Sequence, residues 1–163
     1  MAVLVFLGGP PGVGKSTVAP LVAKRLARRA WVDADDLWRI FPWEVTDDTR
    51  AIVEANIQSV LRVFLQSRFD HVLLTWVLHR EDLIDRLLGP LGSMCDSTHV
   101  IHLVSDEATL RERIAQQPER GRSLERALER LSQIRALRFP KVDTHGLQPD
   151  LVAERIARIV RTR

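Results

Sequence analysis

A single cysteine, Cys95, excludes an internal disulfide from a chain of 163 residues. It suits a reducing cytosol, where a lone thiol reads most simply as a small loop residue. No apolar run reaches the length of a membrane span, and Ala2–Leu7 is too short for the core of a secretory signal. A cytoplasmic location is therefore expected. Repeats, low-complexity tracts and an obvious linker are also missing, so the expectation is one domain over 1–163 with no second folded module. His71, His79, His99 and His102 lack metal-ligand spacing and read as structural or solvated.

Charge is not scarce, but it is mixed. The formal net charge is +3, and the arginines concentrate between Arg111 and Arg138 with Glu112, Glu119, Glu125 and Glu129 interleaved. That pattern reads first as solvated helix faces with i,i+4 pairs, and second as a phosphate clamp. A nucleic-acid stripe ranks third, so a nucleic-acid partner is not expected. Nor is a membrane partner, and a monomer or weak dimer is the expected state.

What is present begins with GGPPGVGKST, residues 8–17. Gly9, Gly14, Lys15 and Ser16 satisfy G-x-x-x-x-G-K-[ST], the loop whose backbone N–H groups wrap a nucleotide's phosphates. Glycine usage of about 7% makes a chance match rarer than about one chain of this length in a hundred. Lys15 is placed to reach the β/γ oxygens and Ser16 to offer its hydroxyl to Mg²⁺. The flanks agree: AVLVF before the loop is a buried strand, and KSTVAPLVAKRLARR after it puts Val18, Leu21, Val22 and Leu26 on one helical face. Pro20 inside that helix should kink it or shift its hydrogen bonding.

Further on, strands and helices alternate. Short apolar strands are expected at Ala30–Asp33, His71–Leu78, Thr98–Ser105 and Lys141–Thr144. Helices are expected from Thr46, an N-cap followed by Asp47 and Asp48, to about Ser67; from Arg80 to Leu88; after a Ser105 cap; beyond the polar segment Pro118–Ser123; and from Pro149. Five strands alternating with helices imply a parallel sheet covered on both faces, with ligands at the carboxyl ends of its strands.

The second strand runs into VDADDLWR, which in an extended chain puts Asp33 and Asp35 on one side and Asp36 on the other. Beside a bound triphosphate, one carboxylate can hold a Mg²⁺-bound water while the other accepts a proton from an attacking hydroxyl. The same residues also suit a capping cluster at a helix start, and the two roles are compatible. In the polar segment, Arg120 and Arg122 flank Gly121, so a loop bearing two guanidiniums can swing over the site and exclude water.

In this order, the glycine loop, the D-x-D segment, the arginine-rich connection and the DTHGL stretch (Asp143–Leu147) resemble the small P-loop kinases of the shikimate kinase, gluconate kinase and adenylate kinase superfamily. The resemblance covers nearly the whole chain, although only the loop motif is specific by itself. It implies a P-loop NTPase α/β fold: three α/β/α layers, a five-stranded parallel sheet, nucleoside-monophosphate-kinase-like, with an acceptor flap over about 34–68 and a lid over about 113–124. It implies ATP and Mg²⁺ as cofactors. Gly9, Gly12, Val13, Gly14, Lys15, Ser16 and Thr17 would hold phosphate, and Ser16 and Asp33, the latter through water, would hold the metal. Lys15, Asp35 and Arg120 would be catalytic. Arg113 resembles the arginine that packs on the adenine, with Thr144 and Gly146 in the loop on the other side of the base and His145 touching it through its backbone.

Two features depart from the pattern. HVLLTWVL has no acidic residue at its carboxyl end, where Thr75 and Trp76 stand, so metal organisation falls on Ser16 and the Asp33/Asp35 pair. The glycine triplet and paired arginines of a shikimate site are also missing, which disfavours shikimate. Trp31, Trp38, Phe41 and Trp43 gather around the segment that follows the carboxylates, and Trp76 lies at the end of a neighbouring strand; they either line an apolar acceptor pocket or pack the flap. Arg39 is a candidate partner for an anionic group of the acceptor. The reading is an ATP-dependent kinase acting on the hydroxyl of a small-molecule acceptor, a metabolite or antibiotic. The alternatives are a nucleoside monophosphate kinase, a polynucleotide 5′-hydroxyl kinase, and a non-catalytic ATP-binding regulatory module. A nucleotide acceptor would want several arginines in the flap, where Trp31–Ser67 supplies only Arg39, Arg50 and Arg62.

Overall fold

Strands β1 (Ala2–Gly8), β2 (Arg29–Asp33), β3 (His71–Thr75), β4 (Cys95–Val104) and β5 (Lys141–Asp143) form one parallel sheet in the order β2-β3-β1-β4-β5. The computed structural model describes residues 1–162. Arg163, the last residue of the expected domain, lies outside the described residues. Helices α1 (Lys15–Arg25), α2 (Asp47–Leu65), α3 (Glu81–Leu88), α4 (Glu107–Ala115), α5 (Leu124–Ala136) and α6 (Pro149–Arg161) cover both faces. This is the expected three-layer fold with its five parallel strands. No helix among the described residues is long and apolar enough to cross a membrane.

Alternation along β1 separates two cores. Val5 and Leu7 point with Leu73, Ile101 and Leu103 into a cluster closed by α1, α4, α5 and α6. Leu4 and Phe6 point the other way with Val72, Leu74 and Val100, against α2 and α3. On α2 the buried residues Val53, Ile57, Leu61 and Leu65 recur every four positions, the stripe a sheet-facing helix needs. Thr46 caps α2 as expected, and Thr49 completes the box: each hydroxyl accepts the other residue's backbone N–H, at 3.1 and 2.9 Å.

Element bounds differ from expectation where local chemistry overrides hydrophobicity. α1 continues through Pro20 but stops at Arg25, because Leu26 turns extended. β3 ends at Thr75 rather than Leu78. The apolar residues Trp76, Val77 and Leu78 form a loop in which Leu78 has a φ of 48° and its carbonyl accepts from His102 Nε2 at 2.7 Å. Asp106 rather than Ser105 caps α4, accepting the Thr109 N–H at 2.8 Å. Ser105 lies one residue too early, and its carbonyl accepts instead from Arg135 Nη2 at 2.8 Å.

The His102 ring also lies against the end of β1. A Cβ added at Gly8 would stand 2.5 Å from His102 Cδ2, closer than real contacts allow. Gly8→Ala is therefore expected to destabilise the fold by about 1–3 kcal/mol, read as a lower urea midpoint with an unchanged denaturant slope.

Candidate active site

β1 is the central strand, flanked by β3 and β4, and the chain leaving it enters the crevice where strand order reverses. Gly9, Gly12 and Gly14 take φ values of 151°, 83° and 107°, so the loop coils back on itself before α1. Gly12 also fits tightly, since a Cβ there would stand 2.8 Å from Ile114 of α4. α1 starts at Lys15 with Gly14 as its cap, no side-chain capping bond and no acidic residue in its first turn. Its leading N–H groups and positive dipole end are left for an anion. Ser16 and Thr17 are exposed there. Lys15 Nζ donates to the carbonyls of Gly9 and Pro10, at 2.7 and 3.0 Å. Burial lowers the Lys15 pKa to about 8, opposed by the carboxylates of Asp35 and Asp33.

Those two carboxylates reach the lysine by a turn, not by an extended chain. Asp33 ends β2 and caps a short 3₁₀ turn, Ala34–Leu37, its Oδ1 accepting the Asp35 N–H at 3.1 Å. Asp33 is thus both a cap and a cavity wall, and the turn swings Asp35 toward Lys15. Burial raises the Asp35 pKa, helped by the negative Asp33 beside it and opposed by Lys15. At the end of β3 the Thr75 hydroxyl accepts from Trp31 Nε1 at 3.2 Å and donates to the Val32 carbonyl at 3.4 Å. It is thus engaged with β2. Among the described residues no group of three or more His, Cys, Asp or Glu could hold a metal. Mg²⁺ needs less, since it keeps several waters and takes one or two protein oxygens, a demand that Ser16 and Asp33 fit.

On the other flank, Arg113 of α4 ties three segments together. Nη1 donates to the Val13 carbonyl at 3.1 Å and to Thr144 Oγ1 at 2.9 Å, and Nη2 to the Thr144 carbonyl at 3.1 Å. This joins the glycine loop to the turn after β5. Thr144 lines the cavity, whereas Gly146 (φ 64°) shapes the turn without lining it. His145 Nδ1 contacts Asp106 at 2.6 Å and Thr109 Oγ1 at 2.8 Å, which ties this turn to α4.

The segment expected to act as a lid places its arginines unequally. Residues Pro118–Arg120 form a 3₁₀ turn, and Gly121 follows with a φ of 56°. Arg120 lines the cavity but is exposed. Arg122 is half-buried, donates to Gln117 Oε1 at 3.0 Å, and lies near enough to Lys15 and Asp35 for its charge to act on both.

All of this opens into one cavity of about 1440 Å³, larger than the roughly 300–1,000 Å³ of a single-ligand cleft. Trp38, Trp43 and Trp76 line it, the Trp38 and Trp76 rings 6.1 Å apart. Two aromatic candidates do not: Trp31 sits on the edge strand β2, and Phe41 is 89% exposed. Arg39 is also outside, bound to Asp36 at 2.6 Å. In its place the fold brings in residues the sequence had not marked as functional: Glu54, His79, Arg80, Arg86, Arg126 and Arg130. The signal for the last two was present, since they lie four apart on α5, but it reads equally well as a solvated face.

A family model described as "AAA domain" matches residues 5–133. No curated protein matches the sequence. Among solved structures, the Deinococcus radiodurans tunicamycin resistance protein aligns over 99% of this chain and 96% of its own, with 21% identity and a TM-score of 0.76. A gluconokinase from Sinorhizobium meliloti 1021 aligns over 96% and 94%, with 21% identity and a TM-score of 0.66. A shikimate kinase from Acinetobacter baumannii, in complex with shikimate, aligns over 98% and 93%, with 19% identity and a TM-score of 0.66. The shared feature at these identities is the fold, that of the small P-loop kinases.

Proposed function

Because the chain belongs to the AAA domain family and has the fold of the small P-loop kinases, we propose that it transfers the γ-phosphoryl group of ATP to a hydroxyl of a small-molecule acceptor. The observation that carries this reading is the meeting of Lys15, Asp33, Asp35 and Arg122 at one place in a cavity with room for two ligands. A nucleotide-binding module without chemistry would have no use for a carboxylate whose proton affinity is raised beside the phosphate lysine.

The glycine loop and the α1 N-terminus would bind the β and γ phosphates, with Lys15 exchanging the Gly9 and Pro10 carbonyls for phosphate oxygens. Arg113 and the Thr144 turn would border the base. Asp35 would hold the acceptor hydroxyl in line and take its proton as the new P–O bond forms and the bond to the β-phosphate oxygen breaks, releasing ADP. Arg122, with Arg120 beside it, would stabilise the charge spread over the transferring group and help exclude water. Ser16 and Asp33 would hold Mg²⁺, which when bound neutralises charge between the β and γ phosphates.

The test is ADP release by the purified protein with Mg-ATP against nucleosides, nucleotides, sugars, gluconate, aminoglycosides and short oligonucleotides. Stimulation by one small hydroxylated class is the expected result. Tight ATP binding with no stimulation would favour the non-catalytic module instead, and stimulation confined to oligonucleotides would favour the polynucleotide kinase.

Lys15 gives a separate expectation. A group with its pKa near 8 is cationic below that value and neutral above it. ATP affinity should therefore fall as pH rises through about 8, with proton uptake on binding in that range. Calorimetry across pH 6.5–9.5 would show it, and Lys15→Met should flatten the profile.

A further inference from the structure

We propose that His102 is a positioning residue for the nucleotide: its ring joins the root of the glycine loop at Gly8 to the loop after β3 at Leu78, and so holds the glycine loop in its binding shape before any phosphate arrives. The proposal rests on the glycine loop being the ATP site and is independent of the acceptor.

His102 stands in an apolar strand, between Ile101 and Leu103, and the fold buries it completely. Burying an imidazole costs desolvation that an aliphatic side chain would avoid. The geometry shows what the ring does there. β4 pairs with β1 so that His102 stands opposite Gly8. The ring crosses the space that a side chain on Gly8 would fill, with Cδ2 2.5 Å and Nε2 2.7 Å from the position of a Cβ. Gly8 precedes the G-x-x-x-x-G-K-S motif, which begins at Gly9, so the crossing ring and not the motif requires glycine there. Beyond Gly8, Nε2 meets the Leu78 carbonyl at 2.7 Å. A carbonyl only accepts, so Nε2 carries the proton. Nδ1 is buried without a partner among the described residues, which makes it the lone-pair nitrogen, since a second proton there would have no acceptor. Burial lowers the pKa of the ring, against the raising effect of the Leu78 bond and with help from the charges of Lys141 and Lys15. His102 is thus a neutral donor.

The bond matters because of what Leu78 is attached to. Trp76 N–H donates to the Leu7 carbonyl at 3.3 Å, and the Val77 carbonyl accepts the Gly9 N–H at 3.1 Å, which carries the β1–β3 pairing up to the glycine loop. One residue later the chain turns left-handed at Leu78, with a φ of 48°, a conformation that is costly for a residue with a Cβ. His102 holds the carbonyl of that strained residue, and through it the Val77 carbonyl on Gly9. Gly9 is also pinned by Lys15, whose Nζ donates to its carbonyl at 2.7 Å. When phosphate draws Lys15 away, the Val77 bond still holds Gly9. A loop fixed in advance loses less freedom on binding.

Calorimetry with Mg²⁺ and the non-hydrolysable analogue AMPPNP on the wild type, His102→Leu and His102→Gln tests this without an acceptor. Leucine keeps apolar bulk but has no donor; glutamine gives up the ring but brings an amide N–H to about the place of Nε2. His102→Leu should bind about tenfold more weakly, and His102→Gln within about threefold of wild type. If the ring only packs, that order reverses. Each variant should unfold in urea in one cooperative step; should His102→Leu not fold, the affinity of His102→Gln decides, kept if the donor matters and lost if the ring does. Nitrogen-15 NMR of the wild-type imidazoles gives a second reading: His102 should show a protonated Nε2 and a bare Nδ1 at neutral pH. Wild-type affinity in His102→Leu, a matched loss in both variants, or a proton on Nδ1 would each overturn the proposal. A wild type that bound no nucleotide would sink the ATP reading itself, whereas binding indifferent to His102→Leu sinks this proposal alone.

Discussion

Asp35→Asn is expected to lower kcat for phosphoryl transfer by roughly 10²–10⁴-fold, the range a positioned general base supplies. ATP affinity should stay nearly constant, because in the proposed reaction the substituted carboxylate would face the acceptor and not the nucleotide. The change is close to isosteric, and the Asp35 backbone N–H that closes the turn on Asp33 is retained, so the turn should survive. The pH profile gives an independent sign. Asp35 works deprotonated, and burial together with Asp33 raises its pKa; activity should therefore be lost as pH falls through a value above the ordinary aspartate range near 3.9. The residual activity of the Asn variant should lack that limb. A variant with wild-type kcat would end the assignment of Asp35 as base, and one that had lost ATP binding would show that the residue serves the loop instead.

Arg122→Ala is expected to lower kcat by on the order of 10³-fold, as when a charge-stabilising arginine is removed from a phosphoryl-transfer site. KM for ATP should change far less, since the charge it meets develops in transit. The half-buried position of Arg122 and its reach to both Lys15 and Asp35 distinguish it from the exposed Arg120. Arg120→Ala should accordingly cost less. Steady-state kinetics of both variants decide between them, and a larger loss at Arg120 would reverse the assignment in favour of the residue the lid sequence points to first.

The order of elements and the phosphate loop were legible because each rests on a local signal: β-branched runs, a glycine spacing, and an N-cap such as Thr46. The carboxylate pair was found for a partly different reason than the true one. Period-two spacing placed Asp33 and Asp35 on one side of a strand, whereas a capped 3₁₀ turn brings them together. Errors arose where one signal had two readings. Trp76–Leu78 is as apolar as a strand, but the chain bends there because a carbonyl meets His102, a residue 24 positions away. Trp31 and Arg39 lie close to the site in sequence and outside it in space, since β2 is an edge strand and Arg39 faces Asp36. Arg126 and Arg130 are the converse case. Nothing local separates them from a solvated stripe, and only the packing of α5 puts them on the cavity wall.

The strand order also bears on how the polypeptide can be made. β1 precedes the other four strands of the sheet in the chain, yet it is central: Val3 pairs with His71 on one side and Ser97 on the other. Neither hydrogen-bonded neighbour exists until most of the sheet has been translated. Until then the apolar run from Ala2 to Leu7 has no strand to join, and the glycine loop that follows it has no rigid root. Contacts this distant in sequence slow folding and lengthen the interval in which an unpaired strand can find another chain. Occupancy by nucleotide should therefore come late, as a mark that synthesis has passed β4 and the sheet has closed around its oldest strand.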